Sequence, residues 1–120
     1  MLSVLVIDDQ ETLRNFYDTL LTEWGFSVTT AVHGLDALKK CAERGGPFDL
    51  VILDWLMPVM NGDMTKKHLE ETYPGIPIVV ISGSVEPSEV TLNRNQFFLT
   101  KPFRIAALKE ILDSVFQGRL

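Results

Sequence analysis

A chain of 120 residues suits one domain, burying roughly two thirds of the surface its unfolded form exposes, and leaves no room for a second. Its 46% hydrophobic and 22% charged residues contain no apolar run near the roughly 20 residues of a membrane span, and its net charge of −5 opposes general affinity for nucleic acid, which calls for a basic face. The single Cys41 forms no internal disulfide, and Met1 leads straight into an apolar run with no basic start or small-residue cleavage site, so a cytoplasmic protein with neither membrane nor direct nucleic-acid partners is expected.

Ser3-Val4-Leu5-Val6-Ile7 is a short β-branched run closed by Asp8 and Asp9. Leu13, Phe16, Tyr17, Leu20, Leu21 and Trp24 then recur at helical spacing, with Gly25 where a left-handed C-terminal residue would sit. Phe26 to Ala31 alternates as a strand does. From Gly34, the residues Leu35, Leu38, Cys41 and Ala42 supply a second apolar stripe, which ends before Gly45-Gly46-Pro47. Phe48 to Leu53 reads as a strand buried on both faces of a parallel sheet, and Asp54 closes it. Such an acid either caps the next turn or points into a site, because ligands bind outside the carboxyl ends of these strands. A more polar helix follows from about 62 to 73, with Met64, Leu69 and Tyr73 as inward residues and Pro74-Gly75 as its stop.

Ile76 to Ile81 is a fourth strand, delivering Ser82 with Gly83 behind it. Between Ser84 and Asn95 only Val85, Val90 and Leu92 are apolar, too little burial to offset a backbone ordering cost of about 1 to 2 kcal/mol per residue. Pro87, Ser88 and Glu89 can open a helix there, but Asn93-Arg94-Asn95 ends it, so at most two turns are expected. Gln96 to Thr100 reads as a fifth strand ending at Lys101-Pro102. Ile105, Leu108, Ile111, Leu112, Val115 and Phe116 mark a final amphipathic helix. Five strands alternating with helices imply an α/β, doubly wound parallel sheet with right-handed crossovers and helices on both faces.

In that arrangement Asp8, Asp9, Asp54, Ser82 and Lys101 lie at carboxyl ends of strands, along one edge of the sheet. Carboxylates sharing a pocket repel by up to about 4 kcal/mol per pair at an effective dielectric near 20, so a cation must compensate. An all-oxygen donor set suits Mg²⁺, which takes one or two carboxylates, waters and a phosphate oxygen. Metal, ammonium and hydroxyl together are what a phosphoryl group needs during transfer, and a carboxylate nucleophile would then form an acyl phosphate.

Asp8-Asp9, Asp54 with Met57-Pro58 and Asn61-Gly62, Ser82-Gly83 and Lys101-Pro102-Phe103, taken in order, resemble the receiver domain of bacterial two-component response regulators, over nearly the whole chain. The resemblance implies one receiver domain over 1–120, of flavodoxin-like strand order 2-1-3-4-5. It implies Asp54 as phosphoacceptor, Asp8, Asp9, Asp54 and the Leu56 backbone carbonyl as the Mg²⁺ site, and Lys101 as partner of the phosphoryl group. Ser82 would be the switch hydroxyl, Phe98 the switch aromatic, and Lys101-Pro102 a cis bond. A histidine kinase or phosphotransfer protein would supply the phosphoryl group and a downstream protein would read the changed surface. The chain would be no enzyme beyond assisting its own phosphorylation and dephosphorylation. Two departures stand out: Leu56 is apolar where the family often carries a polar side chain, and residues 84–95 lack the alanine-rich helix and the Ala-Gly turn usual before the fifth strand, so a short or irregular fourth helix is expected.

The alternative is a phosphohydrolase with Asp54 as nucleophile, against which stands Leu56, where an aspartate-based phosphatase of the haloacid dehalogenase type carries a second Asp. A third reading, an interaction domain with a vestigial site, has little room beside the retained acids, Lys101 and Ser82. His33 reads as a turn or helix-opening residue, His68 as a solvent-facing one, Cys41 as core, and Met57 and Met60 as packing. Trp55, beside Asp54, is either packed or a fluorescent reporter of metal and phosphate binding.

Overall fold

Five short runs rich in β-branched or aromatic residues form strands, and the periodic segments between them form the helices. The computed structural model describes residues 1–55 and 61–117. Its elements are β1 (Ser3–Ile7), α1 (Glu11–Glu23), β2 (Ser27–Ala31), α2 (Gly34–Arg44), β3 (Leu50–Asp54), α3 (Gly62–Thr72), β4 (Ile78–Ser82), a 3₁₀ turn (Pro87–Glu89), β5 (Gln96–Thr100) and α4 (Ile105–Val115). All strand pairs are parallel, in the order β2-β1-β3-β4-β5. The expected doubly wound α/β architecture and strand order are therefore present.

Every residue of β1, β3 and β4 is buried, as continuous apolar strands between two helical layers must be. Alternate side chains feed two cores. One gathers Val4, Val6, Ile52, Val79 and Ile81 with Tyr17 and Leu21 of α1 and Leu108, Leu112 and Phe116 at α4. The other gathers Leu5, Ile7, Val51, Leu53, Ile78 and Val80 with Ala37 and Cys41 of α2 and Leu69 of α3. Each fully buried Leu, Ile or Val contributes about 1.5 to 3 kcal/mol relative to exposure. The expected core position of Cys41 is realised, and burial pushes its thiol pKa up against the pull of Arg44.

Local signals behave as their chemistry dictates. Gly25 ends α1 at φ 93°, in the left-handed region. His33 opens α2, its Nδ1 accepting the Asp36 amide at 3.1 Å, and His68 is exposed. Asn61 caps α3 by accepting the Met64 amide at 2.9 Å. Gly62 is dictated by space, since a Cβ there would lie 2.5 Å from the Trp55 carbonyl oxygen.

Several expected inward residues face out instead. Phe16, Leu35, Met64 and Ile105 are exposed large hydrophobics, and Ala42 is exposed as well. In α3 the buried stripe is Gly62, Thr65, Lys66 and Leu69, so the helix presents small and polar residues to the sheet and turns Met64 away. In α2 the stripe is Gly34, Ala37 and Cys41, with Leu35 beside it.

The segment between β4 and β5 holds a single 3₁₀ turn where the resemblance would place a helix, in keeping with the expected short or irregular element. Side-chain oxygens supply acceptors that helix carbonyls would have provided. Ser82 Oγ accepts the Ser84 and Val85 amides, Glu89 Oε1 the Glu86 amide and Gln96 Oε1 the Asn93 amide. Val90 is the buried residue of this stretch, while Leu92 is exposed.

Candidate functional site

Register brings the site together. Ile7 pairs with Leu53, Asp54 with Ile81 and Ser82 with Thr100, so β1, β3, β4 and β5 end at one level and deliver Asp8, Asp54, Ser82 and Lys101 to one edge. Carboxylate oxygens of Asp8, Asp9 and Asp54 lie within 4.8 Å of one another. Asp8 and Asp54 are buried, whereas Asp9 is exposed. Lys101 Nζ stands 3.7 Å from Asp54 Oδ1. A cleft of about 280 Å³ opens over them, lined by Gln10, Asp54, Ser82, Gly83, Ser84 and Lys101.

Neighbouring backbone fixes these side chains. Asp8 Oδ1 accepts the Gln10 amide at 2.9 Å, and Arg14 Nη1 donates to the Asp8 carbonyl at 2.9 Å. The Lys101 amide donates to the Ser82 carbonyl at 3.0 Å, and the Lys101-Pro102 bond is cis, as expected. Ser82 is buried, its Oγ accepting two loop amides at 3.3 Å, so its own proton stays available to an incoming oxygen. Phe98 pairs with Val80 across the β4–β5 ladder and is half-buried against the core on that face. Trp55 is half-buried against the same core.

Burial governs the electrostatics of the buried acid in this cluster. Burial pushes the Asp8 carboxyl above its ordinary range and Asp9 adds to this, while the Gln10 amide, Lys101 and Arg14 pull the other way without prevailing. Tyr17 is raised by burial first, then by the charges of Asp8 and Asp54. Its ring stacks on Phe103 at 6.4 Å and 9°, closing the floor of an apolar groove of about 420 Å³ shared with Leu13, Phe16, Lys101 and Pro102.

The structure thus gathers Asp8, Asp9, Asp54, Ser82 and Lys101, and sets Phe98 on β5, the strand that leads into Lys101. The expected Leu56 carbonyl ligand, with Met57, Pro58 and Met60, lies outside the described residues. Sequence reasoning passed over Gln10 and Ser84 in the cleft. The signal was there: each is polar and follows a strand-end residue by one or two positions.

A parallel sheet of order 2-1-3-4-5 with three acids, a lysine and a serine at its carboxyl edge defines a class, and the chain belongs to it: the family of response regulator receiver domains, whose model matches residues 4–113. Among its relatives, chemotaxis protein CheY-3 of Vibrio cholerae is 34% identical over 125 residues, which cover 97% of this chain and 92% of that protein. Sensor kinase CckA of Brucella abortus is 31% identical over 118 residues, 92% of this chain but 12% of the kinase. A solved neighbour, the response regulator protein TrrA of Thermotoga maritima in complex with Mg²⁺-BeF, superposes with a TM-score of 0.84 at 29% identity, covering 96% of this chain and 99% of the other.

Proposed function

We propose that Asp54 accepts a phosphoryl group from a phosphohistidine on a partner histidine kinase or phosphotransfer protein in the cytoplasm, and that the altered surface is read by a downstream protein. The observation that carries this reading is the cluster itself, three carboxylates within 4.8 Å with Lys101 Nζ at 3.7 Å from Asp54 Oδ1, opening on a cleft. The donor set fits a hard divalent cation, because its ligands are all carboxylate oxygen and one oxygen of each lies within 4.8 Å of the others. Asp8, Asp9 and Asp54 would hold Mg²⁺, with the Leu56 carbonyl that the family resemblance adds. When bound, the ion neutralises charge on the transferring phosphoryl oxygens.

In this mechanism an Asp54 oxygen attacks phosphorus, the P–O bond forms, the P–N bond of the phosphohistidine breaks, and the electron pair leaves on the imidazole. Lys101, tethered at β5, moves from the carboxylate to the new phosphoryl oxygens. The Ser82 hydroxyl donates to another, and the ring of Phe98 follows into the vacated space. A hydrogen bond to a charged acceptor contributes about 1.5 to 3 kcal/mol, whereas moving a population from 1:99 to 99:1 takes about 5.5, so Ser82, Lys101 and Phe98 must act together. The reading is of a signalling module that acts on its own acyl phosphate and turns over no outside ester; the aspartate-nucleophile phosphohydrolase is disfavoured by Leu56.

The test is labelling with acetyl phosphate, followed by intact mass. Wild-type protein gains one phosphoryl group only with Mg²⁺ present, Asp54→Asn gains none, and Asp8→Asn and Asp9→Asn need more Mg²⁺ for the same labelling. Undiminished labelling of Asp54→Asn would overturn the assignment.

A further inference from the structure

We infer that the Gln10 carboxamide positions the water that hydrolyses the acyl phosphate of Asp54, and so sets how long the signal lasts; this rests on the reading of Asp54 as phosphoacceptor. Hydrolysis of an acyl phosphate requires a water in line with the breaking bond, held by a group that can accept from it and donate to the phosphoryl oxygens. Among the cleft residues, Lys101 only donates, and Ser82 Oγ already accepts two amides. A carboxamide donates through one atom and accepts through another, where the Ser84 hydroxyl does both through a single oxygen on a short side chain.

Gln10 is also anchored in the right place. Its amide donates to Asp8 Oδ1 at 2.9 Å and its carbonyl accepts the Arg14 amide at 3.0 Å, which fixes the root of the side chain beside the acids. The side chain is exposed, lines the cleft with Asp54, and makes no hydrogen bond of its own among the described residues. Leu56, two residues after the acceptor, has no polar side-chain atom to share the task. In the step, the water oxygen bonds to phosphorus and the bond from phosphorus to the Asp54 oxygen breaks. The electron pair returns to the Asp54 carboxylate, and the proton leaves on inorganic phosphate.

The experiment labels the whole chain with acetyl phosphate and Mg²⁺, removes the donor, and follows loss of the phosphoryl group by intact mass for wild type, Gln10→Ala, Gln10→Met and Ser84→Ala. Both Gln10 variants are expected to lose the group about three- to tenfold more slowly, the range one hydrogen bond supplies. Their Mg²⁺ requirement should stay at the wild-type value and loss of the group should slow more than labelling does, a split that a merely structural role for Gln10 would not give. Equal or faster loss in both Gln10 variants, or slowing by Ser84→Ala alone, would overturn the inference while leaving Asp54 as acceptor. Absence of labelling in the wild type would overturn both.

Discussion

On one face of the sheet, α1 and α4 lay Tyr17, Leu21, Leu108, Leu112 and Phe116 over Val4, Val6, Ile52, Val79 and Ile81, an apolar layer two helices wide. On the other, α2 and α3 cover the middle strands, but toward β5 a polar chain takes over. Lys66, almost wholly buried, reaches Glu70 at 2.6 Å, Glu70 accepts from Gln96 Nε2 at 2.7 Å, and Gln96 Oε1 accepts the Asn93 amide at 2.7 Å. The same strands thus end one face with hydrophobic burial and the other with directed hydrogen bonds. Where a helix is missing, apolar area is missing too, and side chains that satisfy backbone amides hold the loop instead. That loop begins at Ser82, so the second face is coupled to the site through the Ser84 and Val85 amides.

Three variations test this contrast, from largest to smallest. Leu112→Ala, a deletion in the closed apolar layer, should cost about 2 to 5 kcal/mol in urea unfolding, the transfer and cavity cost of a buried leucine. Lys66→Met should cost about 1 to 2 kcal/mol, one charge-assisted hydrogen bond discounted for the remaining exposure of Glu70. Equal losses from the two would erase the distinction. Amide exchange across 84–95 should then be raised in Lys66→Met and unchanged in Leu112→Ala under conditions where both are folded.

The pH response is smaller. Burial opposes ionisation of Glu70, but the hydrogen bonds from Lys66 and Gln96 outweigh it and hold its carboxyl below the ordinary 4.5. A depressed acid binds fewer protons folded than unfolded, so its contribution is full above about 4.5 and is lost as pH falls through the lower folded value. Glu70→Gln should remove that part of the acid sensitivity, seen as a flatter dependence of urea midpoint on pH below 4.5. An unchanged slope would mean that the Lys66–Glu70–Gln96 chain carries no net stability.

Much of this was legible in the residues. Short apolar runs and one alternating stretch located all five strands, and the acids, serine and lysine that close them located the candidate site, because the parallel register brings those ends level. The poverty of apolar residues between Ser84 and Asn95 foretold the lost helix. At α3 the expected inward Leu69 and Tyr73 do pack on the core, but Met64 does not, and the rest of the inward face was missed for a physical reason. Hydropathy cannot see a stripe of Gly62, Thr65 and Lys66, where close approach to Trp55 and a buried ion pair replace apolar area. Phe16 was misplaced because its spacing fits the core stripe, yet its ring turns edge-on to Tyr17 at the rim of the groove beside Lys101. Lys66–Glu70 is a local i,i+4 pair, but Gln96 joins it across a separation of 26 residues, and that link has no local signature.

The central claim is that one carboxylate, Asp54, carries the phosphoryl group. Peptide-level mass mapping after labelling with acetyl phosphate and Mg²⁺ tests it most directly, with a hydroxylamine step that cleaves acyl phosphates and spares phosphoesters. The account predicts a single modified peptide, containing Asp54, whose added mass hydroxylamine removes. A hydroxylamine-resistant phosphoryl group, or one on a peptide without Asp54, would contradict it.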